Sequence, residues 1–541
     1  MKKEVSGYRL VFGYLGIFIM FEGLVTLVPL FMCFYPGESS CWLDFFLPGM
    51  SAFFFGLVLW LSLIAGHPKA HFGKNDDSLL LVLLWLFAFL IGGFPFFLSQ
   101  FPALNGGEVG YRMSFLESFF EAVSGYTATG LTVFTGFLDS AHSFCPHVFL
   151  FHRALMQFVG GIGLVLIVAG AISDRYNLKL YFAEGHSDKL LPNLGRSAKL
   201  IFGIYFGYIA LGFLSLWLAG MDLFDALCHS IAAIATGGFS TRSVGYLYFQ
   251  SINGTCYNGV TPVNALAIEI ITMVLMVLGA TNFVLHTFLL RGRWKAFFKD
   301  IEVKIGLVGI VFFTLLTAGS SVYLYTNGSS SGLDFWTAVR YCSFGVISSM
   351  TTTGYSNFVS IHAMGNVFLF SSILLMAIGG GVGSTAGGIK QFRVGLLLKD
   401  FVYGIRYRFS SRRAINPNPV FRLGKLKEED PSTADEAHNY AILYLIVFLL
   451  GATALAFLPG MGLSDSLFEF MSALSGTGLD SIGLLSFKAA SAFSYPWLLS
   501  LLCLAMLFGR LEILPIHFAL ERLSVDSVAN VRRKRQMAKE A

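Results

Sequence analysis

Runs of about twenty apolar residues, the length an α-helix needs to cross a hydrocarbon core, recur from one end of this chain to the other. Ten can be drawn: 9–34, 43–66, 78–99, 146–172, 198–219, 263–290, 303–325, 364–389, 438–458 and 493–519. In lipid every backbone N–H and C=O needs a partner within the protein, so runs of this length fold as helices. Hydrophobic residues make up 55% of the chain and charged ones 13%, and the mean hydropathy is +0.68. That balance is foreign to a soluble domain and predicts an all-α polytopic membrane protein. The first run exceeds a signal-peptide core, contains Glu22 and ends without a small-residue cleavage pattern, so it is expected to remain as a span.

Charge orients the layout. With the N-terminus in the cytoplasm, the inner segments are 1–9, 67–77, 173–200, 291–304, 390–437 and 520–541, and they hold 31 of the 37 Lys and Arg residues. The positive-inside rule demands this asymmetry, and the mirror orientation violates it. Both termini then face the cytoplasm. The net charge of +5 is accounted for by topology, and no basic surface interleaved with aromatics points to nucleic acid.

A short pattern comes round four times, each time between two apolar runs on the predicted outer side. An amphipathic stretch leads into Thr127-Ala128-Thr129-Gly130, Ile234-Ala235-Thr236-Gly237, Thr351-Thr352-Thr353-Gly354 and Ser475-Gly476-Thr477-Gly478. A fifth Thr-Gly pair, Thr135-Gly136, lacks the flanking pattern. The glycines recur every 107 to 124 residues, long enough for span, loop and span. Such spacing implies duplicated units about an axis. The stretches Ser114–Tyr126, Asp222–Ile234, Asp334–Met350 and Ser464–Leu474 read as short helices, with Glu117, Asp222, Asp334 and Asp465 near their positive ends. Their C-terminal ends then aim partial negative charge at a common point, and carbonyl oxygens there can replace a cation's water shell. Capping Thr and turn-forming Gly would explain one such loop; four in matching places point to a potassium pore.

These features, with Gln157-Phe-Val-Gly-Gly-Ile-Gly163, Ala235-Thr-Gly-Gly-Phe-Ser-Thr241, Gly383-Ser-Thr-Ala-Gly-Gly-Ile-Lys390 and Gly509-Arg-Leu-Glu-Ile513, resemble the Trk/Ktr/HKT superfamily of potassium transporters, in particular its TrkH/TrkG type. The resemblance implies four pseudo-repeated M1–P–M2 units around one pore, plus two extra N-terminal helices, ten transmembrane helices in all. Divided so, the chain has an N-terminal extension at 1–77 and repeats at 78–197, 198–302, 303–437 and 438–541. It also implies that Gly130, Gly237, Gly354 and Gly478, with the three residues before each, form a K+ selectivity filter. Glycine in all four copies favours potassium, with sodium permeation left open as an alternative.

Six glycines crowd Gly379–Gly388, at 379, 380, 381, 383, 387 and 388, a composition hostile to continuous helix. Close helix packing through small residues is one explanation. The resemblance implies another, an intramembrane gating loop below the filter, with Lys390 either part of it or a cytoplasmic anchor. Arg510 lies within the last run, where a charge faces the bundle interior or water. Pairing with Glu512 or reaching toward the cytoplasm would satisfy it; the resemblance implies a cationic barrier beneath the filter. Glu121 and Glu469 each stand nine residues before a loop glycine and read as hydrogen-bonding pore-helix residues, with Arg153 and Glu269 in similar structural roles.

The resemblance further implies a homodimer on a cytoplasmic TrkA-like ring of nucleotide-binding subunits, in a bacterial inner membrane, with docking surfaces at 173–200, 291–304 and 390–437. No phosphate-binding motif occurs in this chain, so K+ as the transported ion is the only ligand expected, and H+ or Na+ coupling is left open. The Arg532-Arg-Lys-Arg535 tail suits anionic lipid headgroups. Cys33, Cys41, Cys145 and Cys256 fall near the outer side, where pairing is open. An organic-solute secondary transporter is the rival from another class. An enzyme is not expected, because His152, His229 and His286 are scattered and no paired intramembrane carboxylates form a catalytic set.

Overall fold

The computed structural model describes residues 5–35, 38–65, 70–71, 75–101, 112–134, 145–163, 194–250, 264–328, 332–409, 418–427 and 431–524. Cys256, the 532–535 tail and most of the 173–200 segment lie outside these residues. Cys33, Cys41 and Cys145 are free thiols.

Among the described residues, six helical stretches are long and apolar enough to cross a membrane: Tyr8–Phe34, Ser39–Leu63, Asp76–Leu98, Lys199–Leu218, Ile301–Thr326 and Ser432–Ala456. The first three contain α1 (Tyr8–Leu27), α2 (Trp42–Leu63) and α3 (Asp76–Leu98). Glycine lets α1 and α2 touch backbone to backbone: a Cβ added at Gly56 would lie 2.6 Å from Met20 N, and one at Gly23 2.6 Å from the Gly49 carbonyl oxygen.

Four short helices follow four of these long ones. They are α4 (Phe115–Tyr126), α7 (Leu223–Ile234) after α6 (Leu194–Leu218), α11 (Phe335–Met350) after α10 (Ile301–Thr326), and α15 (Leu463–Ser475) after α14 (Pro431–Ala456). Three open on side-chain caps: Ser114 accepts the Glu117 N–H, Asp222 that of Phe224 and Asp334 that of Thr337.

The apolar segment after each short helix departs from the expected continuous span. α5 (His147–Ile162) has 16 residues and α12 (Asn366–Ile378) has 13. α8 (Ala265–Gly279) turns by 114° into α9 (Phe283–Leu290), and α16 (Tyr495–Arg510) turns by 102° into α17 (Leu514–Ser524). Counting each bent pair as one span gives up to eight candidates among the described residues, where hydropathy alone suggested ten. The breaks have local causes. Asn282 caps α9 by accepting the Val284 N–H at 2.9 Å. Glu512 and Ile513 take positive φ between α16 and α17, and Gly379 ends α12 at φ +71°.

Packing closes a circle. Each short helix lies against the segment after it, and also against the corresponding segment of its neighbour: α4 on α16, α7 on α5, α11 on α8 and α15 on α12. Beyond α13 (Gln391–Arg408), a small antiparallel hairpin joins β3 (Val420–Arg422) to β4 (Lys425–Lys427); β1 (Val5–Ser6) and β2 (Ala70–His71) form a separate two-residue parallel pair.

Candidate functional site

Each short helix unwinds in the same way. One turn past its end an N–H bonds back five residues: Thr129 to Ser124, Gly237 to Ala232, Thr353 to Ser348 and Thr477 to Ser472, at 2.8–2.9 Å. The residue before each donor is left-handed: Ala128, Thr236, Thr352 and Gly476, with φ between +49° and +67°. The residue after each donor is a glycine with φ between +72° and +99°: Gly130, Gly238, Gly354 and Gly478.

This corrects the second loop by one residue. Ile234, taken from the sequence as its first member, is the last helical residue, and the position matching Gly130 belongs to Gly238 instead of Gly237. The loop is therefore Ala235-Thr236-Gly237-Gly238. Matching Thr-Gly pairs conceals the shift because Gly237 and Gly238 are adjacent. The residues beyond reveal it: with Gly238 aligned, each glycine precedes an apolar residue and then a polar one, as in Leu131-Thr132, Phe239-Ser240, Tyr355-Ser356 and Leu479-Asp480.

The four loops touch in order around a closed ring. A Cβ on Gly130 would overlap the carbonyl oxygen of Gly237, one on Gly238 that of Thr353, one on Gly354 that of Thr477, and one on Gly478 that of Thr129. The same backbone relation holds at all four junctions. Hydroxyl pairs brace three loops from within: Thr127 with Thr129 at 2.7 Å, Thr351 with Thr353 at 2.8 Å and Ser475 with Thr477 at 2.6 Å. The second loop has Ala235 and Gly237 in those places, and α5 lends it a side chain. Gln157 Nε2 donates to the Gly237 carbonyl at 2.5 Å, and Gln157 Oε1 accepts the Phe239 N–H at 3.4 Å. Gln157 stood in a recognisable motif, but nothing in its spacing announced this contact.

Behind the ring, the helix position nine residues before the glycine is Glu121, His229, Gly345 and Glu469 in the corrected register. Glu121 accepts from Thr132 Oγ1 at 2.9 Å and the Val133 N–H at 3.1 Å; Glu469 accepts the Ser481 N–H at 2.5 Å. His229 Nε2 meets Ser240 Oγ at 3.0 Å. Three helices thus tie down the chain leaving their own loops. Arg153 joins two loops: its Nε donates to Glu121 at 2.8 Å, Nη1 to the Ser240 carbonyl and Nη2 to Thr132 Oγ1, both at 3.0 Å, with Phe239 stacked at 4.0 Å. Arg153 is 2% exposed and Glu121 0%, so this pair is desolvated as well as bonded.

The glycine-rich segment lies against the C-terminal ends of the short helices. Thr385 Oγ1 bonds the carbonyls of Ile234 and Gly279 at 3.0 and 2.9 Å and meets Thr236 Oγ1 at 3.0 Å. The Gly387 N–H donates to Thr352 Oγ1 at 2.7 Å, and a Cβ at Gly387 would overlap the Ser475 carbonyl. The Gly380 and Gly381 N–H groups bond the Gly387 and Ala280 carbonyls, so Gly379–Gly388 is a packed loop rather than a helix contact surface. Arg510 donates to the Gly160 and Gly161 carbonyls and, at 3.3 Å, to that of Thr385. Glu512 pairs with Arg393 at 2.7 Å. Lys390 turns back onto the Ala386 carbonyl. Between the four loops and the glycine-rich segment is a cavity of about 40 Å³, lined by Thr127, Ser475, Gly476, Thr385, Lys390 and Arg510 among others.

Comparison with known proteins agrees with this architecture. A family model described as TrkH, cation transport protein, matches residues 98–527. An uncharacterized cation transporter of Methanocaldococcus jannaschii is 28% identical over 518 residues, 95% of each chain. The Trk system potassium uptake protein TrkH of Escherichia coli is 29% identical over 521 residues, covering 94% of this chain and 97% of that one. The crystal structure of the potassium transporter TrkH from Vibrio parahaemolyticus superposes with a TM-score of 0.75 at 24% identity, over 95% of this chain and 98% of that one.

Proposed function

The chain belongs to the TrkH family of cation transport proteins, multi-pass membrane proteins rather than enzymes, and from that premise we propose that it carries K+ into the cell through the ring of four loops. The observation that carries the proposal is the closed circuit of loop contacts, in which each glycine abuts a neighbour's carbonyl. Alternating left- and right-handed backbone turns successive carbonyls toward one side, as a site for a dehydrated cation requires. The segments 127–130, 235–238, 351–354 and 475–478 would supply those oxygens. Four helix C-termini converge on them and add a field that favours cations. In this reading the chain comprises four M1–P–M2 units and a two-helix N-terminal extension, the breaks in the third members being half-spans at the pore.

The glycine-rich loop and Arg510 form the gate. Their contacts with Ile234, Gly279, Thr352 and Gly160 close the space on one side of the ring. The 40 Å³ cavity left between ring and loop is wide enough for a water-sized guest, so it is the loop's contacts that block the way onward until the loop moves. Positive charge on Arg510 raises the barrier further: a unit charge about 8 Å from a cation costs roughly 2 kcal/mol at an effective dielectric near 20. The proposal extends to cytoplasmic termini, a homodimer and a nucleotide-binding ring on the cytoplasmic loops.

Expression in a cell lacking K+ uptake tests the function. The native chain restores growth at low K+, and Gly354→Ser and Gly130→Asp do not. Growth unaffected by either variant in a folded, membrane-inserted protein would remove the ring from the transport path.

A further inference from the structure

The gating loop is held from two sides. One side meets the short helices. The other meets a group of residues drawn from distant parts of the chain. Glu302, in the first turn of α10, accepts the Val382 N–H at 3.2 Å, and a Cβ at Gly381 would lie 2.8 Å from the same carboxylate oxygen. Asn282, at the bend between α8 and α9, donates to that oxygen at 3.5 Å. The opposite carboxylate oxygen faces Arg422 Nε of the hairpin at 3.5 Å. Asp300, which caps α10 through the Glu302 N–H at 3.0 Å, accepts the Leu423 N–H at 2.8 Å. Asp300 and Glu302 are 0% and 1% exposed. Both buried carboxylates thus reach the hairpin, and Glu302 reaches the loop with its other oxygen, while the second oxygen of Asp300 caps α10.

Apolar packing repeats the connection. Val382 of the loop, Phe392 and Leu396 of α13, Val420 of β3 and Ala437 of α14 form their own small buried core, with Ile301 against it. The Arg422 guanidinium lies 3.6 Å over the Phe392 ring. The hairpin is shaped locally for this place. Leu423 and Gly424 both have positive φ, +48° and +75°, the turn that matches strand twist in a two-residue hairpin.

We propose that the 418–427 hairpin is a clamp that holds the gating loop shut, with Glu302 as the positioning residue that transmits its grip to Val382. The proposal rests on the loop being the gate. Lifting the hairpin removes Arg422 and Val420 together. Glu302 then keeps a buried charge without its cation, and the small core around Val382 loses Val420. Both changes favour departure of the loop from beneath the ring.

Full-length protein in liposomes tests this through K+ flux. Arg422→Met and Glu302→Gln should each raise flux about tenfold over the native chain, with K+ still preferred over Na+, because the ring is untouched. A Val382→Cys/Val420→Cys double variant oxidised with diamide should lose at least nine-tenths of its flux and regain it on reduction, while the flux of either single variant, whatever its level, does not respond to diamide. Native flux in Arg422→Met and Glu302→Gln beside a leaky Arg510→Ala would overturn the clamp and leave the gate. Native flux in all three would overturn both. Failure of the cysteine pair to cross-link, or full flux after complete cross-linking, would also overturn the clamp.

Discussion

Gly237 and Gly238 are neighbours, yet the structure assigns them opposite sensitivities, and alanine at each position separates them. At Gly238, φ is +72° and a Cβ would overlap the Thr353 carbonyl oxygen. Left-handed backbone costs an L-residue about 1–2 kcal/mol before any clash. The clash is with backbone of the next loop, so relief requires the two loops to separate. At Gly237 the backbone is not left-handed, and the Cβ would meet the tip of Gln157, with Oε1 at 2.6 Å and Nε2 at 2.8 Å. That amide can move aside at the expense of its short bond to the Gly237 carbonyl, about 0.5–1.5 kcal/mol; its 3.4 Å contact with the Phe239 N–H is too long to add much. At about 1.4 kcal/mol per factor of ten, Gly238→Ala should lower the K+ over Na+ flux ratio by tenfold or more, matching Gly354→Ala. Gly237→Ala should lower it by no more than about threefold to tenfold. Rubidium and sodium flux into liposomes, measured on protein of equal monodispersity, reads both. A selectivity collapse in Gly237→Ala with Gly238→Ala near native would refute the register argued from backbone geometry.

Three further outcomes follow from contacts behind and beneath the ring. Gln157→Leu removes the only side-chain donor seen on the Gly237 carbonyl among the described residues, and should reduce K+ over Na+ preference severalfold without lowering thermal stability by more than a few degrees in detergent. Arg153→Met strands the Glu121 carboxylate in a desolvated site and should destabilise the protein by about 3–5 kcal/mol; adding Glu121→Gln should recover part of that loss, read as the melting temperature of both variants. Arg510→Ala opens the region around the Gly160 and Thr385 carbonyls and should increase K+ leak at least tenfold in liposomes, with selectivity retained; unchanged leak would dismiss it as a barrier.

Much of this architecture was legible because lipid imposes simple rules. Long apolar stretches such as 78–99 and 303–325 had no alternative to helix, and Asp222 and Asp334 announced the starts of two short helices through their capping chemistry. The ring was legible as a fourfold pattern of Thr and Gly. Its register in the second loop was harder to read, since a Gly-Gly pair satisfies two alignments of the Thr-Gly pattern and only the residues beyond it, with the backbone dihedrals, separate them. The broken segments were equally hidden. Hydropathy along 263–290 or 493–519 averages across a turn, and a 102° bend at Leu511–Ile513 leaves no mark in composition. Arg510 showed its position but not its partners: Glu512, two residues away, pairs instead with Arg393, 119 residues distant in sequence. Long-range pairings of that sort depend on tertiary placement, which local patterns do not encode.

Because one polypeptide furnishes every quarter of the ring, no symmetry obliges the quarters to match. A homotetramer feels each substitution four times over and must accept or reject it whole. Here the second quadrant already differs, trading an internal hydroxyl brace for a borrowed amide from α5. With the ring acting as proposed, ion preference is adjustable in single increments, one quadrant at a time, a finer dial than any assembly of identical subunits has.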